Sequence, residues 1–237
     1  MAGTRLNHAA LRQAIIDTCR AMNASGINQG TSGNVSARVE GGLLITPTGV
    51  PYDVLTPDMI CEMDLEGGYR GERLPSSEWR MHVDILRERP EAQAVVHAHP
   101  TYATALACLR QEVPAFHYMV AAVGGPSLRC SDYATFGTRA LSEVMLAAMR
   151  DRAACLLANH GMICFGPSLD KALWLAVEIE AMCRQYAVAR TLGEPVLLDA
   201  DEMARVGRRF KSYGRQSHEI APGDEPAFEM PTRRGDG

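Results

Sequence analysis

Near the middle of the chain the run Ala94-Val95-Val96-His97-Ala98-His99 is stopped by Pro100. It is too short for a helix of ordinary length and mostly apolar at consecutive positions, so it reads as a strand buried within a sheet. Successive side chains of a strand point to opposite faces, which puts His97 and His99 on the same one. Any fold of this chain must bury that strand and still leave two imidazoles a shared space.

The flanking segments set the frame. Residues 7–25 place Leu11, Ile15, Ile16, Cys19 and Met22 on one helical stripe, and Gly26 offers a stop. Two β-rich runs, 34–39 and 43–46, are joined by Glu40-Gly41-Gly42 and suit a hairpin. A third strand is expected over 59–63. Pro75-Ser76-Ser77 leads into a helix over about 78–89, with a serine to cap it and Pro90 to stop it. After the buried strand come a helix at 102–109, a strand at 119–123, a helix at 138–150, a strand at 155–158, a long helix at 168–192 and a last one at 200–213. Strands and helices alternate, but the series opens with a hairpin. The expectation is therefore an α/β chain with a single domain over 1–215, whose mixed, largely antiparallel central sheet is covered by helices. Residues 216–237, which include Pro222-Gly223-Asp224-Glu225-Pro226, read as a mobile C-terminal tail.

Composition narrows the function classes. With 46% hydrophobic and 22% charged residues the chain has the balance of a soluble globular protein. Its net charge of -4 disfavours a nucleic-acid surface, which needs clustered cations. No apolar run approaches the roughly 18 residues of a membrane span, and the N-terminus lacks a basic-then-apolar signal pattern, so a cytoplasmic protein without membrane partners is expected. The seven cysteines are odd in number and share no framework spacing, and they read as reduced core residues. The chain has only two lysines, Lys171 and Lys211. Neither is convincing as a Schiff-base lysine, which must be desolvated.

A third histidine extends the pair. His160, in Asn159-His160-Gly161, follows the apolar strand that ends at Ala158, and a glycine there lets the backbone turn. A strand-end histidine can face the same cleft as His97 and His99. Imidazole nitrogen is a preferred zinc ligand, and a catalytic site keeps a position open beyond about three protein ligands. An H-x-H pair is also compatible with a hydrogen-bonded core or surface role. His82 is the rival ligand, four residues beyond Glu78 on the same helical face, and reads better as a hydrogen-bonded helix histidine.

Gly30-Thr31-Ser32-Gly33-Asn34 and Thr46-Pro47-Thr48-Gly49 are polar turns able to expose amides and hydroxyls. Ser76 and Ser77 stand at a helix N-terminus, where free amides and the helix dipole favour an anion. Together these form a phosphate cradle without a lysine. There is no P-loop, and no G-x-G-x-x-G between a strand and a helix, so a nucleotide fold is disfavoured. Glu78, in the first helical turn, is a fourth metal ligand, a proton-transfer base, or a surface glutamate favoured by the dipole.

Seven segments in order carry a resemblance: residues 28–36, 45–49, 74–80, 95–99, 117–119, 133–138 and 159–161. The chain from about residue 10 to 214 resembles the class II aldolase and adducin-head family, in particular its L-fuculose-1-phosphate aldolase branch. The resemblance implies zinc, with Mn2+ or Co2+ as substitutes, at His97, His99, His160 and Glu78, with Glu78 leaving the metal to act as acid/base. It implies phosphate binding by Asn34, Thr48, Gly49, Ser76 and Ser77. It also implies a homotetramer with active sites between subunits, in which Tyr118 reaches in from a neighbour as a second catalytic group while Tyr213 and Phe136 close over the aldehyde. The implied reaction is reversible cleavage of a deoxy-ketose 1-phosphate, through a metal-stabilised enediolate, to dihydroxyacetone phosphate and a small aldehyde. L-Fuculose, 5-deoxyribulose and 5-methylthioribulose 1-phosphates are the candidate substrates. Pro100-Thr101-Tyr102 departs from the fuculose pattern and leaves the aldehyde half open. The competing readings are a sugar-phosphate epimerase, dehydratase or decarboxylase on the same scaffold, and a non-catalytic assembly module like the adducin head.

Overall fold

A computed structural model describes residues 8–210 together with 212, 213, 216, 219 and 223. The proposed tail over 216–237 lies outside the described residues apart from those last three positions, as does Lys211.

The chain runs α1 (Ala9–Ala24), β1 (Asn34–Val39), β2 (Gly42–Ile45), β3 (Cys61–Asp64), β4 (Tyr69–Arg70), α2 (Trp79–Glu88), β5 (Ala94–Ala98), α3 (Thr101–Cys108), α4 (Arg139–Ala148), β6 (Ala154–Leu157), β7 (Gly161–Gly166), α5 (Leu169–Leu192) and α6 (Ala200–Phe210). The strands form one seven-stranded sheet in the order β4-β3-β2-β1-β5-β7-β6. The expected helix-covered, largely antiparallel sheet is present, and every pairing of these strands is antiparallel. The parallel contact among the described residues is an isolated bridge between Cys130 and Leu156.

Period-two alternation sorts the strands onto two cores. Val35, Val96, Ala98, Leu156, Met162 and Cys164 pack against α1, α3 and α5. Leu43, Ile45, Val95, Leu157, Ile163 and Phe165 pack against α2 and α4. His97 alternates with Val96 and Ala98 and so faces the α2 and α4 layer. Both flanks of β5 are occupied, by β1 with Asn34 opposite His97 and by β7 with Ile163 opposite His97. The strand that bears His97 is therefore held on both edges.

Three local readings change. The expected strand over 119–123 is a 3-10 helix, Tyr118–Val123. Its buried Val120 and Val123 are three residues apart, a spacing that suits this helix and not a strand, and the His117 ring accepts the Met119 N–H at 3.2 Å. The strand expected over 59–63 begins at Cys61, because Pro57–Met59 forms another 3-10 turn. A further strand, β7, continues the one at 154–157 as a hairpin through residues 158–160. The long helix α5 lies close over it, since a Cβ on Gly166 would stand 2.6 Å from the Ala172 nitrogen.

At its other side α5 anchors the helix that follows the H-x-H pair. Pro100 occupies the N-cap of α3 and has no side-chain acceptor to offer. Glu180 of α5 takes that role, accepting the N–H groups of Tyr102 and Ala103 at 2.9 Å each. Among the described residues, no helix is long and apolar enough to cross a membrane. Two stability outcomes are expected from urea titrations. Ile163→Ala, which empties a fully buried site, lowers stability by about 2–5 kcal/mol. Glu180→Ala removes the α3 cap and lowers it by about 1–2 kcal/mol.

Candidate metal centre and phosphate cleft

Four side chains from three places in the fold converge at one end of the sheet. His97 comes from β5, His99 from the residue just past it, His160 from the β6–β7 hairpin, and Glu78 from the N-cap of α2. Each offers one ligand atom, and all four atoms lie within 4.8 Å of one another. The three imidazole centroids are 4.8, 4.9 and 4.8 Å apart. The hairpin geometry is local in origin: Asn159 takes a left-handed φ of 54°, which asparagine tolerates better than most residues, and this turns His160 back over the sheet end. A Cβ on Gly161 would stand 2.6 Å from His99 Cδ2, so glycine there makes room for the neighbouring imidazole.

The proton inventory of the cluster suits a cation. His97 Nδ1 lies 2.8 Å from the Met162 carbonyl oxygen, so in the neutral ring it carries the proton and donates it. His97 Nε2 then presents a lone pair, 3.1 Å from Glu78 Oε2 and 3.0 Å from His99 Nε2. Glu78 Oε1 is 3.0 Å from His160 Nε2, yet it is buried without an aligned hydrogen bond. Lone pairs aimed at one another across such distances need either extra protons or a metal between them. Burial pushes the Glu78 carboxyl upward, but His97 and His160 outweigh it and hold the group well below the usual carboxylate range. Burial likewise opposes charge on His97, and Glu78 overcomes it, so its proton affinity rises. His99 moves the other way, pushed down to about 3 by burial and by the two neighbouring imidazoles. The cluster therefore does not readily hold a proton on each ring. Three imidazole nitrogens and one carboxylate form a donor set suited to a borderline divalent ion.

A cleft of about 440 Å³ opens over this cluster, with Glu78, His99 and His160 among its lining residues. Thr48, Gly49 and Ser77 also line it, joined by Thr31 and Ser32 of the polar turn that the sequence offered for the cradle. Phe136, 65% exposed, and Tyr133 form part of its wall. Among the described residues, no lysine or arginine lines it. An anion here would depend on amides, hydroxyls and the start of α2.

The remaining expected site residues fall elsewhere. Ser76 is buried beneath the cleft, and its Oγ accepts the Glu78 N–H at 3.2 Å; the expected serine cap thus serves the N-cap residue itself, which is Glu78. Asn34 is also buried, and its side chain is committed to Glu78 and His82 and not to the cleft. Tyr118 and Tyr213 line a separate, more apolar cleft of about 620 Å³ beside α6, and among the described residues none lines both clefts. A single chain therefore does not bring these tyrosines to Glu78.

Other residues support this layer. Asn28 donates to the Gly30 carbonyl and accepts from Ser32 Oγ, both at 3.3 Å, and Tyr52 donates to the Gly33 carbonyl; together they brace the turn over residues 30–33. His82 is wholly buried, hydrogen-bonded to Ser36 and Asn34, and pushed down to about 3 chiefly by burial. It is the hydrogen-bonded helix histidine that its position suggested.

Comparison with known proteins gives a single family. The family model described as Class II Aldolase and Adducin N-terminal domain matches residues 13–187. A 5-methylthioribulose-1-phosphate/5-deoxyribulose-1-phosphate aldolase from Rhodospirillum rubrum is 51% identical over 222 residues, covering 94% of this chain and 99% of that protein. An L-fuculose phosphate aldolase from Escherichia coli is 48% identical over 210 residues, covering 88% and 98%. Among solved structures, an L-fuculose 1-phosphate aldolase superposes with a TM-score of 0.85 at 38% identity, covering 88% of this chain and all of that one.

The converging donor set predicts that the purified protein carries a divalent metal and that His97→Ala loses it on gel filtration. Elemental analysis of both proteins checks this, and equal metal content in the two would rule His97 out as a ligand.

Proposed function

Since the chain belongs to the class II aldolase and adducin N-terminal domain family, we propose that it is a metal-dependent lyase cleaving a deoxy-ketose 1-phosphate to dihydroxyacetone phosphate and a small aldehyde. The observation that carries this is the double position of Glu78, which stands among three imidazoles and also lines the cleft beside Ser77. One carboxylate can thus meet both a metal and the reacting carbon of a bound substrate. Support for the activity comes from relatives named as ketose-phosphate aldolases at about half identity over nearly their whole length.

His97, His99, His160 and Glu78 would hold the ion, with zinc the best match to three imidazoles and a carboxylate, and Mn2+ or Co2+ as substitutes. When bound, such an ion supplies Lewis-acid stabilisation of the negative charge that develops on the C2–C3 unit as the C3–C4 bond breaks. The phosphate is held by the Thr48 and Ser77 hydroxyls and the Gly49 backbone, at the mouth of α2. Ser76 and Asn34 support this region from below by fixing Glu78. Cleavage requires a base for the C4 hydroxyl proton and an acid that returns a proton to C3. Glu78 performs the second task. Tyr118 performs the first from a neighbouring copy in a homotetramer, which agrees with its half-exposed position in a cleft separate from its own chain's Glu78. Tyr213 and Phe136 close over the aldehyde, Tyr213 across the same interface. We place the enzyme in the cytoplasm, where its seven free cysteines stay reduced.

The aldehyde half is set by residues outside the phosphate cradle, and the two named groups of relatives differ by only three percentage points in identity, 51% against 48%. Comparing kcat/KM for L-fuculose, 5-deoxyribulose and 5-methylthioribulose 1-phosphates decides it. Aldehyde release from at least one, abolished by chelator and restored by zinc, is the expected result; no release from any of the three would sink the aldolase reading. Glu78→Gln is expected to keep appreciable metal while kcat falls about 10²–10⁴-fold, the range for removing a positioned acid/base. Normal turnover in that variant would take the acid/base role away from Glu78.

A further inference from the structure

Behind Glu78 the hydrogen bond from Asn34 continues into a line whose further members, His82 and Ser36, the chemistry above does not use. Asn34 Nδ2 donates to Glu78 Oε2 at 3.0 Å. Asn34 Oδ1 lies 2.5 Å from His82 Nε2, and His82 Nδ1 lies 2.8 Å from Ser36 Oγ. Asn34 and Ser36 come from one face of β1 and His82 from the facing side of α2; His82 and Ser36 are 0% exposed and Asn34 4%.

The direction of each bond follows from the first. An ionised carboxylate can only accept, so Asn34 must turn its amide nitrogen toward Glu78 and its carbonyl oxygen toward α2. That oxygen in turn needs a donor, so the neutral His82 ring carries its proton on Nε2. Its Nδ1 is left as an acceptor, and the Ser36 hydroxyl donates to it. Every donor in the chain points toward Glu78. Were His82 replaced by an apolar group, the Glu78 carboxylate alone would orient the Asn34 amide, whose buried Oδ1 would lose its donor and with it the penalty-free arrangement that holds the amide nitrogen toward Glu78. With the amide reversed, its oxygen would stand against Glu78 Oε2, two acceptors in contact in a dry site.

We propose that His82 is a positioning residue for Glu78: through Asn34 it locks the donor that holds Glu78 Oε2 in place between the imidazoles and the cleft. Its substitution is felt in metal affinity and turnover although the ring touches neither metal nor substrate. The proposal rests on the reading of Glu78 as metal ligand and acid/base. Outer hydrogen bonds that orient a ligand typically alter metal affinity or activity about 10–100-fold when removed.

The test is a double-mutant cycle read as zinc affinity, by competition with a chromophoric chelator on the full chain. His82→Leu is expected to weaken zinc about 10–100-fold and Asn34→Ala by a similar factor. The double variant should be no weaker than Asn34→Ala alone, because His82 acts only through that amide. His82→Gln can still donate to Asn34 Oδ1 and accept from Ser36, and should recover zinc affinity to within about fivefold of wild type, the scale of one net hydrogen bond. Zinc affinity unchanged in His82→Leu, or losses that multiply in the double variant, would overturn the proposal. If His82→Leu does not fold, Ser36→Ala replaces it in the cycle. That variant leaves the ring in place and should cost about fivefold in affinity, a loss absent from the Asn34→Ala background. A multiplied loss there overturns the proposal equally. Failure of the wild-type protein to bind zinc is seen before any variant is compared; it defeats the metal reading and this inference with it.

Discussion

Glu78 is a carboxylate taken almost wholly out of water, at 6% exposure, and its charge has to be met there by donors or cations. The fold meets it from every side. His97 arrives on a strand gripped by neighbours on both edges, and His160 on a hairpin whose left-handed Asn159 aims it inward. Ser76 binds the Glu78 amide and Asn34 its carboxylate. Glu78 also occupies the N-cap of α2, so the start of the helix adds the positive end of its dipole. In the proposed reaction a carboxylate placed this way would give metal, phosphate and reacting carbon a common neighbour, at the point where β5, α2 and the β6–β7 hairpin meet.

Much of the metal cluster was legible in the sequence because it depends on short-range periodicity. H-x-H within a strand puts both rings on one face whatever the rest of the chain does, and a histidine and glycine at a strand end place a third ring near by. The polar turns proposed to hold phosphate were legible as turns for a similar reason, since Gly49 and the residues around it declare a turn by composition. The supporting layer was not. Asn34 lies in β1, and its partners Glu78 and His82 are 44 and 48 residues away. Nothing local distinguishes an asparagine that points into a cleft from one that turns under it. The same holds for Glu180, whose cap on α3 spans 78 residues.

Errors in the fold reading have physical causes as well. Residues 119–123 are apolar enough for a strand, but the inward positions recur every third residue and the segment closes on Gly124 with φ 95°. The strand at 161–166 was missed because glycines mark both its ends, where they read as turn residues. Those glycines are there for contact: one clears His99, the other lets α5 lie on the sheet. The separation of Tyr118 and Tyr213 from Glu78 is a different case. In the proposed tetramer they would serve another copy's site, and such a role leaves no mark in one chain's geometry beyond exposed aromatic groups, Tyr118 at 51% and Tyr213 at 62%.

That no lysine or arginine stands among the described residues of the cleft lining bears on how the parts of the proposed site would act together. Three neutral imidazoles and one carboxylate sum to a single negative charge, which disfavours a phosphate dianion close by; a divalent ion among them reverses the sign. Amides, hydroxyls and a helix terminus can then fix the phosphate by direction, with little long-range attraction of their own. A side-chain ammonium in the cleft would attract the phosphate whether or not the metal site was filled. With none among the described lining residues, attraction for the anion and the capacity to stabilise charge on the reacting carbons would come from the same ion. Glu78, held by Asn34 on one side and open to the cleft on the other, is the group through which both are felt.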